Sequence, residues 1–192
     1  MDRLAALLRS QFTLLGTLVA LFWLEELVDV FLLAGSLDSY GIRPRSIDGL
    51  MGILLCPFLH GGLGHLAANT GPFLVLGWLV LARGFGDFFG VWIVSTLVGG
   101  FGTWLVGAAG SVHIGASGVI FGFFGFLVLA GIFEKKLGSL LVTVLVALVY
   151  GGLIFGVLPG QPGVSWESHL FGFVGGGIAA RLGAAVGSEA AD

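Results

Sequence analysis

The chain has 192 residues, of which 57% are hydrophobic and 10% charged, with a mean hydropathy of +1.07 and a formal net charge of −3. Soluble domains carry about a quarter charged residues, so these charges are too few to cover a water-exposed surface and lipid is the expected solvent for much of the chain. The small, scattered charge offers nothing to a nucleic acid, and the single cysteine, Cys56, excludes an intrachain disulfide and any cysteine-based metal site.

A helix needs about 20 apolar residues to cross the hydrocarbon core, and six stretches qualify, at roughly 12–34, 59–81, 88–109, 114–133, 139–158 and 167–186. The first follows a short N-terminal segment (1–11) and is too long and too acidic for a cleaved signal peptide, so it is taken as a span. Glu25, Glu26 and Asp29 within it receive no catalytic role. The connection 35–58 is long and apolar in its second half. Pro57 and the Gly49 and Gly52 pair punctuate it, which favours a short amphipathic piece lying in the outer leaflet over a lengthened second span. The 35 glycines have no three-residue period and sit among Leu, Val and Phe, so they are read as close-packing positions of a helix bundle.

The expected fold is all-α: a single polytopic membrane domain of six transmembrane helices, with no soluble domain or linker. With the N-terminus inside, the cytoplasmic segments hold Arg3, Arg9, Arg83, Lys135, Lys136 and Arg181, and the outside keeps only Arg43 and Arg45. Both termini, including a tail at 187–192, are therefore expected in the cytoplasm of an integral protein of the cell membrane.

Polar groups inside spans are costly and point to function. The second span opens with His60, His65 and Asn69, the last two sharing a helix face; the fourth with Gly115-Ala116-Ser117-Gly118; the sixth with Trp166-Glu167-Ser168-His169. All three spans enter from the outside, so the clusters converge on one depth. Ser117 needs a base to become a nucleophile, and His169 is a candidate. Asn69, a His65 ring N–H and the Ser117 backbone N–H are candidate donors to an oxyanion. Glu167 points elsewhere on the helix, which favours a Ser–His dyad over a triad. The pairs Gly118 and Gly122, and Gly172 and Gly176, allow the two helices to approach until Ser117 reaches the imidazole. Singly, each signal has a bland reading: a serine bonded to its own backbone, a packing histidine, or a common G-x-x-x-G. Three histidines could bind zinc, but no His-Glu-x-x-His or carboxylate cluster supports a hydrolytic zinc centre.

At these residues the chain resembles the rhomboid family, in His60, His65 and Asn69, in Gly115 to Gly118, in His169 with Gly172, and in the flanking Gly41-Ile42-Arg43-Pro44-Arg45 and Pro57-Phe58-Leu59-His60-Gly61. The resemblance covers about Tyr40 to Arg181. It implies an intramembrane serine endopeptidase with Ser117 as nucleophile, His169 as base, His65 and Asn69 lining the oxyanion hole and His60 supporting the polar network. It also implies single-span transmembrane proteins as substrates, cut near the outer face, and neither metal nor organic cofactor. Two departures stand out. Phe121 occupies the position where many relatives carry a tyrosine beneath the histidine, and the Trp-Arg pair of the first external loop is missing. The alternatives are a rhomboid-like protein that binds membrane proteins without cutting them, and a small transporter with a polar pathway.

Overall fold

The computed structural model describes residues 2–189, and all of its regular elements are helices. Helix α1 (Asp2–Val28) runs into a π turn (Asp29–Leu33) that ends where Ala34 adopts φ 54°. Two 3-10 turns, Leu37–Tyr40 and Asp48–Leu50, lead to the one-turn helix α2 (Gly52–Leu55). Then come α3 (Leu63–Leu81), α4 (Phe85–Val106), α5 (Ser117–Glu134), α6 (Leu137–Tyr150) with a 3-10 extension (Gly151–Val157), and α7 (Trp166–Glu189). The segment expected at 1–11 is helical from Asp2, and the tail expected at 187–192 is helical as far as Glu189. Met1 and residues 190–192 lie outside the described residues.

Among the described residues five helices, α3, α4, α5, α6 with its extension, and α7, are long and apolar enough to cross a membrane. The first expected span, α1, is the longest element at 27 residues and packs on α3, with Arg9, Gln11, Glu25 and Glu26 diluting its apolar character. Helix α5 sits at the centre, buried at every residue from Val119 to Leu127, with α3, α4, α6 and α7 around it. By contrast α6 buries only Thr143 and Val146 and exposes Leu141, Val144, Leu145, Leu148 and Val149. A helix this apolar on its outward face is soluble only in lipid. The Thr143 hydroxyl fastens it by donating to the Leu127 carbonyl at 2.7 Å.

Lipid supplies no hydrophobic drive for helix association, so the bundle must gain stability by bringing backbones close. A β-carbon on Gly172 would collide with the Gly118 carbonyl, and one on Gly176 with the Gly122 carbonyl. On its other side Gly172 meets α4, where a β-carbon on Gly99 would lie 3.4 Å from it. Interlocked aromatic rings hold the other half of the bundle. Phe22 of α1 meets Phe73 of α3 edge-on at 5.2 Å, Phe73 stands perpendicular to Trp92 of α4, and Phe88 of α4 stacks on Phe123 of α5 at 5.2 Å.

The connection 35–58 is pinned to the rest of the bundle. Arg45 donates to the Leu105 and Gly107 carbonyls, both at 2.9 Å, at the end of α4 where the helix dipole favours a cation. The Trp104 indole donates to Ser46 O at 2.8 Å, so α4 supplies the tryptophan contact that the loop's own sequence lacks. Ile42 and His113 exchange two backbone hydrogen bonds of 2.9 Å, tying this loop to the segment before α5. Ile47, Met51 and Leu54 project outward from it, while Ile53 packs against Gly100.

Replacing Gly172 by alanine is expected to lower stability by on the order of 3 kcal/mol, because the methyl group must push two backbones apart. Gly16→Ala in α1, with open space around it, is expected to leave stability unchanged or slightly raised. Thermal unfolding of both variants in detergent micelles measures the contrast; equal midpoints would refute the packing argument.

Candidate active site

The helices α3, α5 and α7 all begin at the same end of the bundle, around a cavity of about 510 Å³ lined by His65, Asn69, His113, Ser117, Ser165 and His169 among others. The three polar clusters of the sequence therefore meet in space. Two details differ from the expected spans. Helix α3 begins at Leu63 rather than near 59, so His60 lies in the turn before it. The fifth span leaves α-helical geometry at Gly151, where Gly151-Gly152 weaken the helix, and continues as 3-10 turns to Val157.

Ser117 is the first residue of α5, and no side chain caps that helix. The N–H groups of its first turn thus lack intrahelical partners and carry the positive end of the dipole at the cavity. The turn that delivers Ser117 is built by Gly115 at φ +117°, where a β-carbon would come within 2.8 Å of the His65 ring. Gly115 N–H donates to Cys56 O at 2.8 Å, and Ala116 N–H to His60 Nε2 at 3.4 Å. With Nδ1 of His60 donating to Phe58 O at 3.2 Å, the tautomer is consistent around the ring. His60 does not line the cavity; it stands behind it, edge-on to His65 with centroids 5.3 Å apart.

His65 and Asn69 do face the cavity, one turn apart on α3. His65 Nδ1 accepts the Gly61 N–H at 3.2 Å, which leaves its Nε2–H as a donor. The Asn69 amide spends one hydrogen on the His65 carbonyl at 3.2 Å and keeps another.

His169 lies flat on Phe121, with centroids 4.0 Å apart and planes at 8°. Stacking therefore persists with phenylalanine beneath the ring. His169 Nδ1 donates to the Gly156 carbonyl at 2.9 Å, so the lone pair sits on Nε2. The 3-10 extension of α6 provides that carbonyl, and Gly156 is confined: a β-carbon there would fall 2.8 Å from the Phe121 ring and 3.0 Å from His169 Nδ1. Among the described residues no carboxylate bonds to His169, and no hydrogen bond joins Ser117 to His169; both side chains face the same cavity. Sites of this kind often tighten only when a reactant binds. Gly118 and Gly172 make the helix contact immediately below the pair.

A second polar chain, absent from the sequence reading, borders the cavity. His113 Nε2 and Nδ1 meet the Ser111 and Ser165 hydroxyls at 2.7 and 2.6 Å; Ser165 bonds to Ser168 at 2.8 Å, and Ser168 to Thr103 of α4 at 2.8 Å. Burial holds His113 below the ordinary imidazole range despite the upward pull of the Glu167 carboxylate, so it is neutral at pH 7, one nitrogen donating and one accepting. The chain ties the first turn of α7 to the loop before Ser117. Its sequence signal was a histidine four residues before the serine and two hydroxyls at the entry of α7, none of which matches a motif.

A Rhomboid domain model matches residues 48–185. An uncharacterised protein of Mycobacterium tuberculosis is 46% identical over 179 residues, covering 88% of this chain and 74% of its own length. RHOMBOID-like protein 4 of Arabidopsis thaliana is 33% identical over 132 residues, 65% of this chain and 32% of its own. A rhomboid protein of Bacillus subtilis, YdcA, is 32% identical over 130 residues, 64% of this chain and 62% of its own. With a bundle that only lipid can solvate and a polar cavity at the mouth of three of its helices, the chain belongs to the rhomboid family.

Proposed function

We propose that this protein is an intramembrane serine endopeptidase that cuts single-span transmembrane proteins by a Ser117–His169 dyad. The observation that carries the reading is the orientation of His169. Phe121 fixes its plane, and the Gly156 carbonyl accepts a hydrogen bond from its Nδ1–H, so the Nε2 lone pair is free to act as a base in the cavity that Ser117 also lines. As the Ser117 oxygen attacks the scissile carbonyl, its proton passes to Nε2. The Gly156 carbonyl then stabilises the imidazolium, the part a carboxylate plays in a triad. The oxyanion of the tetrahedral intermediate receives the Ser117 backbone N–H, the His65 Nε2–H and the free Asn69 amide hydrogen, and the dipole of α5 adds to their effect. Collapse breaks the C–N bond, with His169 returning its proton to the leaving amine. Water then enters along the same route and gives up a proton to Nε2 as it attacks the Ser117 ester; the ester C–O bond then breaks as His169 returns that proton to the Ser117 oxygen, releasing the acid and restoring the dyad.

His60 and Gly115 hold the peptide before Ser117 in place, and Gly118 and Gly172 set the spacing of the two helices. The Lys and Arg bias supports a single membrane domain with both termini in the cytoplasm of the cell membrane, the cavity opening outward, and residues 35–58 partly embedded in the outer leaflet. Cleavage near the outer end of a substrate helix follows from that depth.

The competing reading is a non-cleaving rhomboid-like protein that binds membrane proteins, and the lack of a direct Ser117–His169 hydrogen bond favours it. Incubation of the purified protein with a labelled single-span substrate in liposomes separates the two. Cleavage is expected from the unaltered protein and none from Ser117→Ala or His169→Ala; a cutting Ser117→Ala protein would sink the serine assignment. No cleavage across a broad substrate panel would favour the binding protein.

In the same assay, His65→Ala and Asn69→Ala are each expected to slow cleavage by roughly 10²- to 10³-fold rather than abolish it, because the remaining donors still serve the oxyanion. Gly156→Ala is expected to lower kcat by about 10²-fold, since its methyl group displaces the His169 ring. Its substrate binding, measured on the Ser117→Ala background, is expected to stay unchanged; a normal kcat would refute the orienting role of this carbonyl.

A further inference from the structure

The last turns of α1 gather acidic side chains where the helix dipole already leaves negative charge. Glu26 is completely buried, yet neither of its carboxylate oxygens has a hydrogen-bond partner, and the same holds for Glu25 Oε2. Asp29 nearby is spent on the Leu37 N–H at 2.9 Å. Among the described residues no basic side chain forms an ion pair with Glu25 or Glu26; the ion pairs join Arg43 to Asp48 and Arg83 to Asp87 and Glu134. Buried carboxylates demand a counter-charge or a proton.

His60 completes the cluster. One ligand atom each from Glu25, Glu26 and His60 lies within 4.8 Å of the other two. The imidazole is 1% exposed and donates Nδ1–H to the Phe58 carbonyl, the backbone support typical of a metal-bound histidine. We infer that Glu25, Glu26 and His60 form a site for a divalent cation of the zinc type, outside the Ser117–His169 cavity. One imidazole and two carboxylates suit zinc and its first-row neighbours better than calcium or magnesium, which take oxygen ligands alone. Bonds of about 2.1 Å require the three ligand atoms to close to roughly 3.4 Å, a side-chain adjustment.

The site reaches the active-site turn through His60. Its Nε2 now accepts the Ala116 N–H, one residue before Ser117. A cation that takes this lone pair withdraws the acceptor, so occupancy opposes the arrangement of that turn and slows cleavage; this coupling, unlike the binding, rests on the proposed peptidase activity.

The test uses full-length protein purified without a histidine tag, stripped with chelator in detergent and titrated with zinc chloride, then calcium chloride, by calorimetry. The expected result is one zinc per chain, with calcium at least about 100-fold weaker. The double variant Glu25→Gln, Glu26→Gln is expected to weaken zinc by on the order of 100-fold while unfolding without metal at the same temperature or higher. If it does not fold, Glu26→Gln alone gives the comparison. Absence of zinc binding, or equal binding by the variant, would overturn the site and leave the carboxyls as a protonated pair. Zinc that binds without slowing cleavage would overturn only the coupling to Ser117.

Discussion

Gly118 with Gly172, and Gly122 with Gly176, place carbonyl oxygens where β-carbons would otherwise stand, and most of what matters in the cavity just above them depends on that approach. In water, two helices can be driven together by apolar side chains of many shapes. In lipid that drive is missing, and contact between main chains replaces it. The close approach of α5 and α7 brings a residue at the very start of one helix beside a residue in the first turn of the other. A side chain at the crossing would push apart the two helices that carry Ser117 and His169.

Polar groups in this bundle are arranged so that each bond determines the role of another atom. The Gly61 N–H on His65 Nδ1 makes Nε2 a donor, while the Gly156 carbonyl on His169 Nδ1 makes Nε2 an acceptor. Two imidazoles facing one cavity are thereby given opposite functions by the main chain alone. His113, bonded through both nitrogens, is committed to structure. Its chain of hydroxyls joins the two segments whose relative position the glycines set from below.

Much of this was legible in the sequence, for a physical reason. Lipid permits few arrangements of backbone polar groups, so composition and run length led directly to a helix bundle, and the cost of burying His65, Asn69, Ser117 and His169 marked them as candidates. What remained hidden depended on contacts between distant segments. The role of Gly156 arises where α6 gives way to a tighter turn, and nothing in Gly-Gly-Leu-Ile-Phe-Gly announces an acceptor for an imidazole. His113, Ser165, Ser168 and Thr103 are ordinary residues until the fold lines them up. Glu25 and Glu26 were visible as anomalies of the first span, but only the packing of α1 near the turn before α3 brings them to His60.

The acceptor for the His169 Nδ1–H is a carbonyl oxygen rather than a side chain, and that has an evolutionary consequence. A carboxylate in this position could be deleted by one codon change; a main-chain oxygen is lost only if the chain is rerouted. The sequence of the last turn of α6 is thus free to drift, with Gly156 the exception because its missing β-carbon makes room for the ring. Inheritance of the orienting bond is carried by the path of the backbone, and it persists in any descendant that still ends α6 with the same tightening turn.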